Sequence, residues 1–350
     1  MRVKFHRIIG TGGIGVGLLF ESGTNETLGR NESRLAHLSA AKDYCKQHIV
    51  LHYTATLIAD LVPVHPVGLV GKDSYGMPLI EEMKSAGMTM DHVYLHPYLP
   101  TTVSFCLQYP DKDGCNITAS NGASDGVTSE LILQSLKEIG VDRQTLLAAI
   151  PEVRPETRMK MLAYGREQGS FNVISIPEAE AAYFKQSNVF AYCDLLAINQ
   201  LEAAALHAGT DNNCSLVDGL YREMIKINRD ACLLVTCGKE GAYAAQSGRI
   251  EFIPPIPVIP VNTTGAGDAF LGGLLAGLAY GLPLTKGRDD AFFGATELES
   301  AAEFGAICAG MSVESVDTIA QHVNRLNIQE WIRQNSWRAS SLLTGLLKGS

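Results

Sequence analysis

From Val127 onward, stretches of helical period alternate with short apolar runs, and this alternation limits the fold more than any other feature. Helical spacing marks residues 129–139, 156–168, 178–188, 201–208 and 216–228. Between them lie 171–176, 195–198 and 231–236, apolar runs too short for helices and bounded by turn-prone or polar residues. Alternation of this kind builds an α/β protein, with a mostly parallel central sheet covered by helices on both faces. Ligands of such sheets bind beyond the carboxyl ends of the strands, so the chemistry is sought there.

Val261-Asn262-Thr263-Thr264-Gly265-Ala266-Gly267-Asp268-Ala269-Phe270 stands between a Pro-rich apolar run, 253–260, and a helix of small and apolar residues expected over 269–280. Gly265 and Gly267 permit a tight turn and put no side chain in a ligand's way. The first amides of the helix point outward unpartnered, and the helix dipole adds partial positive charge, which makes an anion site suited to phosphate. Asp268 sits beside it. Two turn glycines and a capping acid would be the plainer account of Gly-x-Gly-Asp alone. A carboxylate placed against a phosphate site costs repulsion, and it makes sense where the acid takes a proton from a hydroxyl attacking the phosphorus.

The whole string resembles the signature Asp-Thr-x-Gly-Ala-Gly-Asp of the ribokinase-like (PfkB) carbohydrate kinase family, with Asn262 in place of the first Asp. Further stretches follow the family's order. Asn199-Gln200-Leu201-Glu202 resembles its Asn-x-x-Glu, and Thr236-Cys237-Gly238-Lys239-Glu240-Gly241-Ala242 resembles its Thr-x-Gly-x-x-Gly-Ala. Gly68 to Gly76, with Asp73, resembles a third stretch, and 304–312 resembles the helix on the adenine side. The resemblance implies a ribokinase-like fold, with a kinase domain over 1–330, a small β lid from about 10–34 and 97–122, and a weakly amphipathic tail over 331–350. It implies Asp268 as catalytic base beside the amides of Gly265, Ala266 and Gly267. Asn199, Thr236, Gly238, Gly241 and Thr264 fall to ATP, and Glu202 to Mg²⁺ through water. A monovalent cation and a homodimer formed through the lid are compatible with the family.

The first quarter departs from that pattern. Gly10-Thr11-Gly12-Gly13-Ile14-Gly15 follows a strand expected over 4–9 and satisfies a dinucleotide-binding fingerprint. The fingerprint needs a helix and then a second strand ending in an acid, and the chain offers a polar, turn-rich stretch over 21–34 instead. An NAD(P) oxidoreductase is therefore set behind the kinase reading, and Gly12 and Gly13 are assigned to close approach of the substrate. Helical spacing continues over 35–49 and 51–61. Counting back from Leu61, His48-Ile49 stand where the family has a Gly-Gly pair, and Tyr53 where it has a sugar-binding Asn. Glu21 stands in for the family's first-strand Asp, and Asn31 completes the substrate candidates. A strand over 65–70, a helix over 77–86, and a hairpin of 101–109 with 115–119 complete this half. Helices are expected over 297–311 and 316–327.

Composition narrows the partners. A net charge of −9 with scattered Lys and Arg argues against nucleic acid. The eight cysteines form no CxxC pair, which suits reduced thiols in the cytoplasm. No run reads as a membrane span, and five glycines between Gly10 and Gly17 argue against a signal peptide. The sequence thus predicts an ATP- and Mg²⁺-dependent kinase of a small sugar-like substrate. A nucleoside kinase, its base stacked on Tyr53 or another lid aromatic, and a non-catalytic sugar or nucleotide sensor are the alternatives.

Overall fold

A computed structural model of the chain describes residues 3–111, 114–207, 212–287 and 297–349. The first half contains β1 (Arg7–Thr11), β2 (Gly15–Ser22), β3 (Ala36–Leu38), β4 (Asp43–Tyr44), α1 (Lys46–Ile58), β5 (Val64–Gly71), α2 (Gly76–Ser85) and β6 (Val93–His96). β7 (Thr102–Gln108), β8 (Gly114–Thr118), α3 (Ser129–Ile139), β9 (Thr145–Ala149), α4 (Pro155–Gln168), β10 (Phe171–Ile174) and α5 (Ala181–Gln186) follow. Next come β11 (Leu195–Asn199), α6 (Gln200–Leu206), α7 (Asn213–Ile227), β12 (Cys232–Thr236), β13 (Ala242–Gln246) and β14 (Arg249–Ile253). The chain closes with α8 (Ala266–Tyr280), α9 (Ala301–Ser312), α10 (Arg325–Gln334) and α11 (Ser341–Lys348).

Among the described residues the large sheet has nine strands, in the order β14-β13-β12-β11-β10-β9-β1-β5-β6. Every pair from β12 to β6 is parallel, while β12–β13 and β13–β14 are antiparallel. Both faces are covered, so strand residues of either parity are apolar. Leu195 and Ala197 join the core under α1 and α8 to α11, whereas Leu196 and Ile198 face α3 to α7. A second sheet, β3-β2-β7-β8 with β4 on β2, stands over the carboxyl ends of the first.

Several expected elements are corrected. Residues 35–45 are not helical, because β3 and β4 pair with β2, with Phe20 opposite Leu38 and Gly17 opposite Asp43. One helix, α1, replaces the two expected over 35–61. The stretch 316–324 is a set of turns tied by tertiary bonds, the Thr318 amide to the Lys42 carbonyl at 3.1 Å among them. The boundary expected at 330 falls inside α10, and α11 docks firmly, with Leu343 and Leu346 fully buried. Strands β6, β9, β13 and β14 were not foreseen. The glycines of α8 make close contact with other helices: a Cβ on Gly272 would stand 2.6 Å from the Tyr53 Cβ of α1. The turn of the lid hairpin at 112–113, and residue 208, lie outside the described residues.

Candidate active site

The turn before α8 is built as an anion cradle. Gly265 caps the helix at φ 79°, ψ −2°, a left-handed conformation that a glycine adopts without steric cost. The Ala266 amide leans back to the Thr263 carbonyl at 3.3 Å. The amides of Gly265 and Gly267 meet no acceptor among the described residues, and the position of a Gly267 Cβ is open space. Asn262 locks the approach: its Oδ1 accepts from the Thr264 amide at 3.0 Å and from Gln108 Nε2 at 3.1 Å.

Asp268, on the first turn of α8, faces the start of α1, where Lys46 is the first helical residue. Desolvation raises the Asp268 carboxyl above the usual aspartate range, and the Lys46 charge opposes that rise. Conversely, Asp268 is the chief cause that holds the Lys46 ammonium above the ordinary lysine range. Glu152 approaches from the loop after β9. Its backbone is left-handed at φ 73°, a conformation that strains a residue with a side chain. Glu152 Oε2 accepts from the Lys46 amide at 2.8 Å, and burial pushes its carboxyl up to about 7. At the carboxyl end of β11, Asn199 and Glu202 form a reciprocal cap: Asn199 Oδ1 accepts the Glu202 amide at 2.9 Å and Glu202 Oε2 accepts the Asn199 amide at 2.8 Å.

Two cavities meet at this point. The larger, about 840 Å³, has Asn199, Glu202, Thr236, Gly238 and Gly241 on its polar side. Its apolar side comes from the Pro-rich run and α9, through Pro255, Ile256, Ala306 and Ala309. The smaller, about 330 Å³, lies under the second sheet and is lined by Asp43, Tyr44, Ser104, Gln108, Asn116 and Glu152. Lys46, Thr263, Gly265 and Asp268 line both.

The signature of the pfkB family carbohydrate kinase matches residues 50–324. This chain is a carbohydrate kinase of that family. It is 29% identical over 271 residues to a ribokinase of Bacillus subtilis, covering 76% of this chain and 80% of the relative. Its fold is shared with a Giardia lamblia ribokinase at TM-score 0.78 and 18% identity, over 95% of this chain and all of that one. An Arabidopsis thaliana ribokinase complexed with ribose and ATP superposes with TM-score 0.66 at 16% identity, over 99% of this chain and 100% of that one. Ribokinase-like architecture is thereby established for this kinase, with its large, mostly parallel sheet and small second sheet.

The phosphate-side candidates come together and the substrate candidates do not. Asn199, Glu202, Thr236, Gly238, Gly241, Gly265, Ala266, Gly267 and Asp268 all line the larger cavity. Thr264 differs from its nucleotide assignment, because it faces the smaller cavity. Tyr53 is buried behind the site, its hydroxyl donating to the Thr318 carbonyl at 2.9 Å and accepting from the Ala320 amide at 2.8 Å. Glu21 is exposed on the lid strand opposite Gln108, and Asn31 is exposed in the loop beyond it. Gly12 and Gly13 are buried behind the wall, against Ile150 and Glu152. Asp73 is a structural clamp, accepting from the amides of Tyr75 and Gly76 at 3.0 Å and from the Thr101 amide at 2.7 Å. Asp43, Lys46 and Glu152, which line the smaller cavity, were missed from sequence.

Among the described residues, no helix is long and apolar enough to cross a membrane. None of their His, Cys, Asp and Glu side chains group in threes to hold a metal. A single carboxylate such as Glu202 would suit Mg²⁺, which keeps several waters and takes one carboxylate plus substrate phosphates. Glu202 is 8% exposed, and its Oε1 accepts no hydrogen bond from a described residue.

Proposed function

We infer that this carbohydrate kinase transfers the γ-phosphoryl group of ATP to a hydroxyl of a small sugar or sugar derivative held in the smaller cavity. The observation that carries the reading is the wall of Lys46, Thr263, Gly265 and Asp268 shared by the two cavities. A group passing from one ligand to the other must cross there. ATP lies in the larger cavity, its adenine against the apolar side and its phosphates toward the cradle. Asp268 accepts the proton of the attacking hydroxyl, and its raised pKa makes it a stronger base than a solvated aspartate. The amides of Gly265 and Gly267, with Lys46, stabilise charge on the transferring group. Glu202 would hold Mg²⁺, which would supply positive charge against the phosphates.

One support of the nucleoside alternative is removed. Tyr53, the stacking partner expected for a nucleoside base, is 1% exposed. Asp43, Lys46 and Glu152 supply polar groups to the smaller cavity, which supports an acceptor there. A dimer through the lid has an apolar row to use, since Leu18, Phe105 and Ile117 are paired across three strands and exposed. ADP release with Mg-ATP and a panel of sugars and nucleosides tests the reading. Sugar-dependent ADP is expected, and ADP dependent only on nucleosides would overturn it.

A further inference from the structure

The glycines from Gly12 to Gly17, before and within β2, have a purpose that no dinucleotide fingerprint explains: two of them make room for carboxylates. A Cβ on Gly13 would collide with the Glu152 carboxylate, and one on Gly17 with Asp43 Oδ2. Asp43 lies on β4, opposite Gly17 of the lid strand, and is 5% exposed. Its Oδ2 accepts only the weak thiol donor of Cys106, at 3.0 Å. Its Oδ1 accepts nothing from the described residues, although the side chain lines the smaller cavity. Asp43 Oδ1 is not among the buried unpartnered atoms, so it opens to the cavity, where a ligand hydroxyl can take the place of water as its donor. The charged residues lining that cavity are Asp43, Glu152, Asp268 and the cation Lys46. Lys46 is already shared among these acids and Glu202.

We propose that Asp43 selects the acceptor: its vacant carboxylate oxygen accepts from a hydroxyl of an uncharged sugar or polyol, and the cavity turns away acceptors that already carry a phosphate or carboxylate. The proposal rests on the transfer reading above for the place of the acceptor. Ser104, Gln108 and Asn116 supply the neutral polar groups such a ligand needs. A second anion in the cavity would face Asp43, Asp268 and the partly ionised Glu152 with a single ammonium to offset them.

The full chain is assayed for ADP release with D-ribose and D-fructose against fructose 6-phosphate and D-gluconate, with calorimetry of the same compounds without nucleotide. The best neutral acceptor should exceed either anionic one by about 100-fold in kcat/KM. Asp43→Asn should raise the KM of that acceptor by about tenfold or more while kcat stays within a few-fold, as for a charge-assisted hydrogen bond made equally in ground and transition states. Gly17→Ala, which keeps the charge and displaces it, should raise KM likewise and serves if Asp43→Asn does not fold. Highest activity with an anionic acceptor, or unchanged KM in both variants, overturns the proposal and leaves phosphoryl transfer standing. Asp43-dependent binding of a neutral sugar without ADP formation upholds the selection and sinks the transfer reading.

Discussion

The side-chain amide of Asn262 donates to the Val316 carbonyl at 2.8 Å, tying the turn before α8 to the segment that follows α9. The same side chain accepts from Gln108 of the lid, so one residue joins the cradle, the lid and the C-terminal half. This is the position where the family signature has Asp, and an aspartate cannot make the donor contact.

Asn262→Asp should therefore destabilise the protein by roughly 1–3 kcal/mol, by setting a carboxylate oxygen against a carbonyl in a buried place. Denaturant unfolding measures it. Stability within experimental error of the parent would show that the clip contributes nothing.

Catalytic pH dependence follows from the Lys46–Asp268 relationship. The base must be ionised, so kcat falls as pH drops through the raised Asp268 pKa. Lys46 lowers that pKa, and Lys46→Met should move the acid limb of the kcat profile to higher pH as well as slowing turnover. An acid limb left in place would exclude Lys46 as the tuning charge.

Stability should also fall in mild acid because of α1. His48 is fully buried with neither ring nitrogen bonded among the described residues, and His52 is 7% exposed. Burial lowers both pKa values, that of His52 to about 4 and that of His48 well below the usual range. Between those values and about 6.5 the unfolded chain binds protons that the folded chain refuses, so stability is lost as pH falls, on the order of 1.4 kcal/mol per pH unit per histidine. His48→Leu should flatten the slope of unfolding free energy between pH 6 and 5 by about one proton. A slope equal to the parent's would mean that His48 is protonated in the fold.

α11 is part of the core. Leu346→Ala, at a fully buried position, should cost about 2–5 kcal/mol in chemical denaturation. A loss below about 0.5 kcal/mol, the level of an ordinary surface change, would mean that the helix is dispensable.

The phosphate half of the site was legible because its chemistry is local. Residues 261–268 are contiguous, Asn199 and Glu202 cap one helix, and Gly238 and Gly241 follow one strand. The acceptor half is assembled at a distance. Glu152 reaches the site only because β9, unseen in the sequence, pairs with β1 and its loop meets the start of α1. Asp43 arrives through a two-residue strand hidden in apolar spacing that imitated a helix. Counting back from Leu61 landed at His48 and Tyr53, inside α1, whereas the site uses the residues at its first turn. The alternation after Val127 foretold the parallel sheet well, since each βα unit declares itself locally. The β13–β14 hairpin was lost between two motifs that drew attention to their glycines.

The central claim is that Asp268 takes a proton while the cradle beside it holds the transferred group. It is tested most directly by following [γ-³²P]ATP into the acceptor in a single turnover, for the parent and for Asp268→Asn, with ATP binding measured on both. The account predicts a labelled sugar from the parent, and a rate lower by about 10²–10⁴-fold in the variant with ATP affinity kept. Transfer by Asp268→Asn at close to the parent's rate would contradict it.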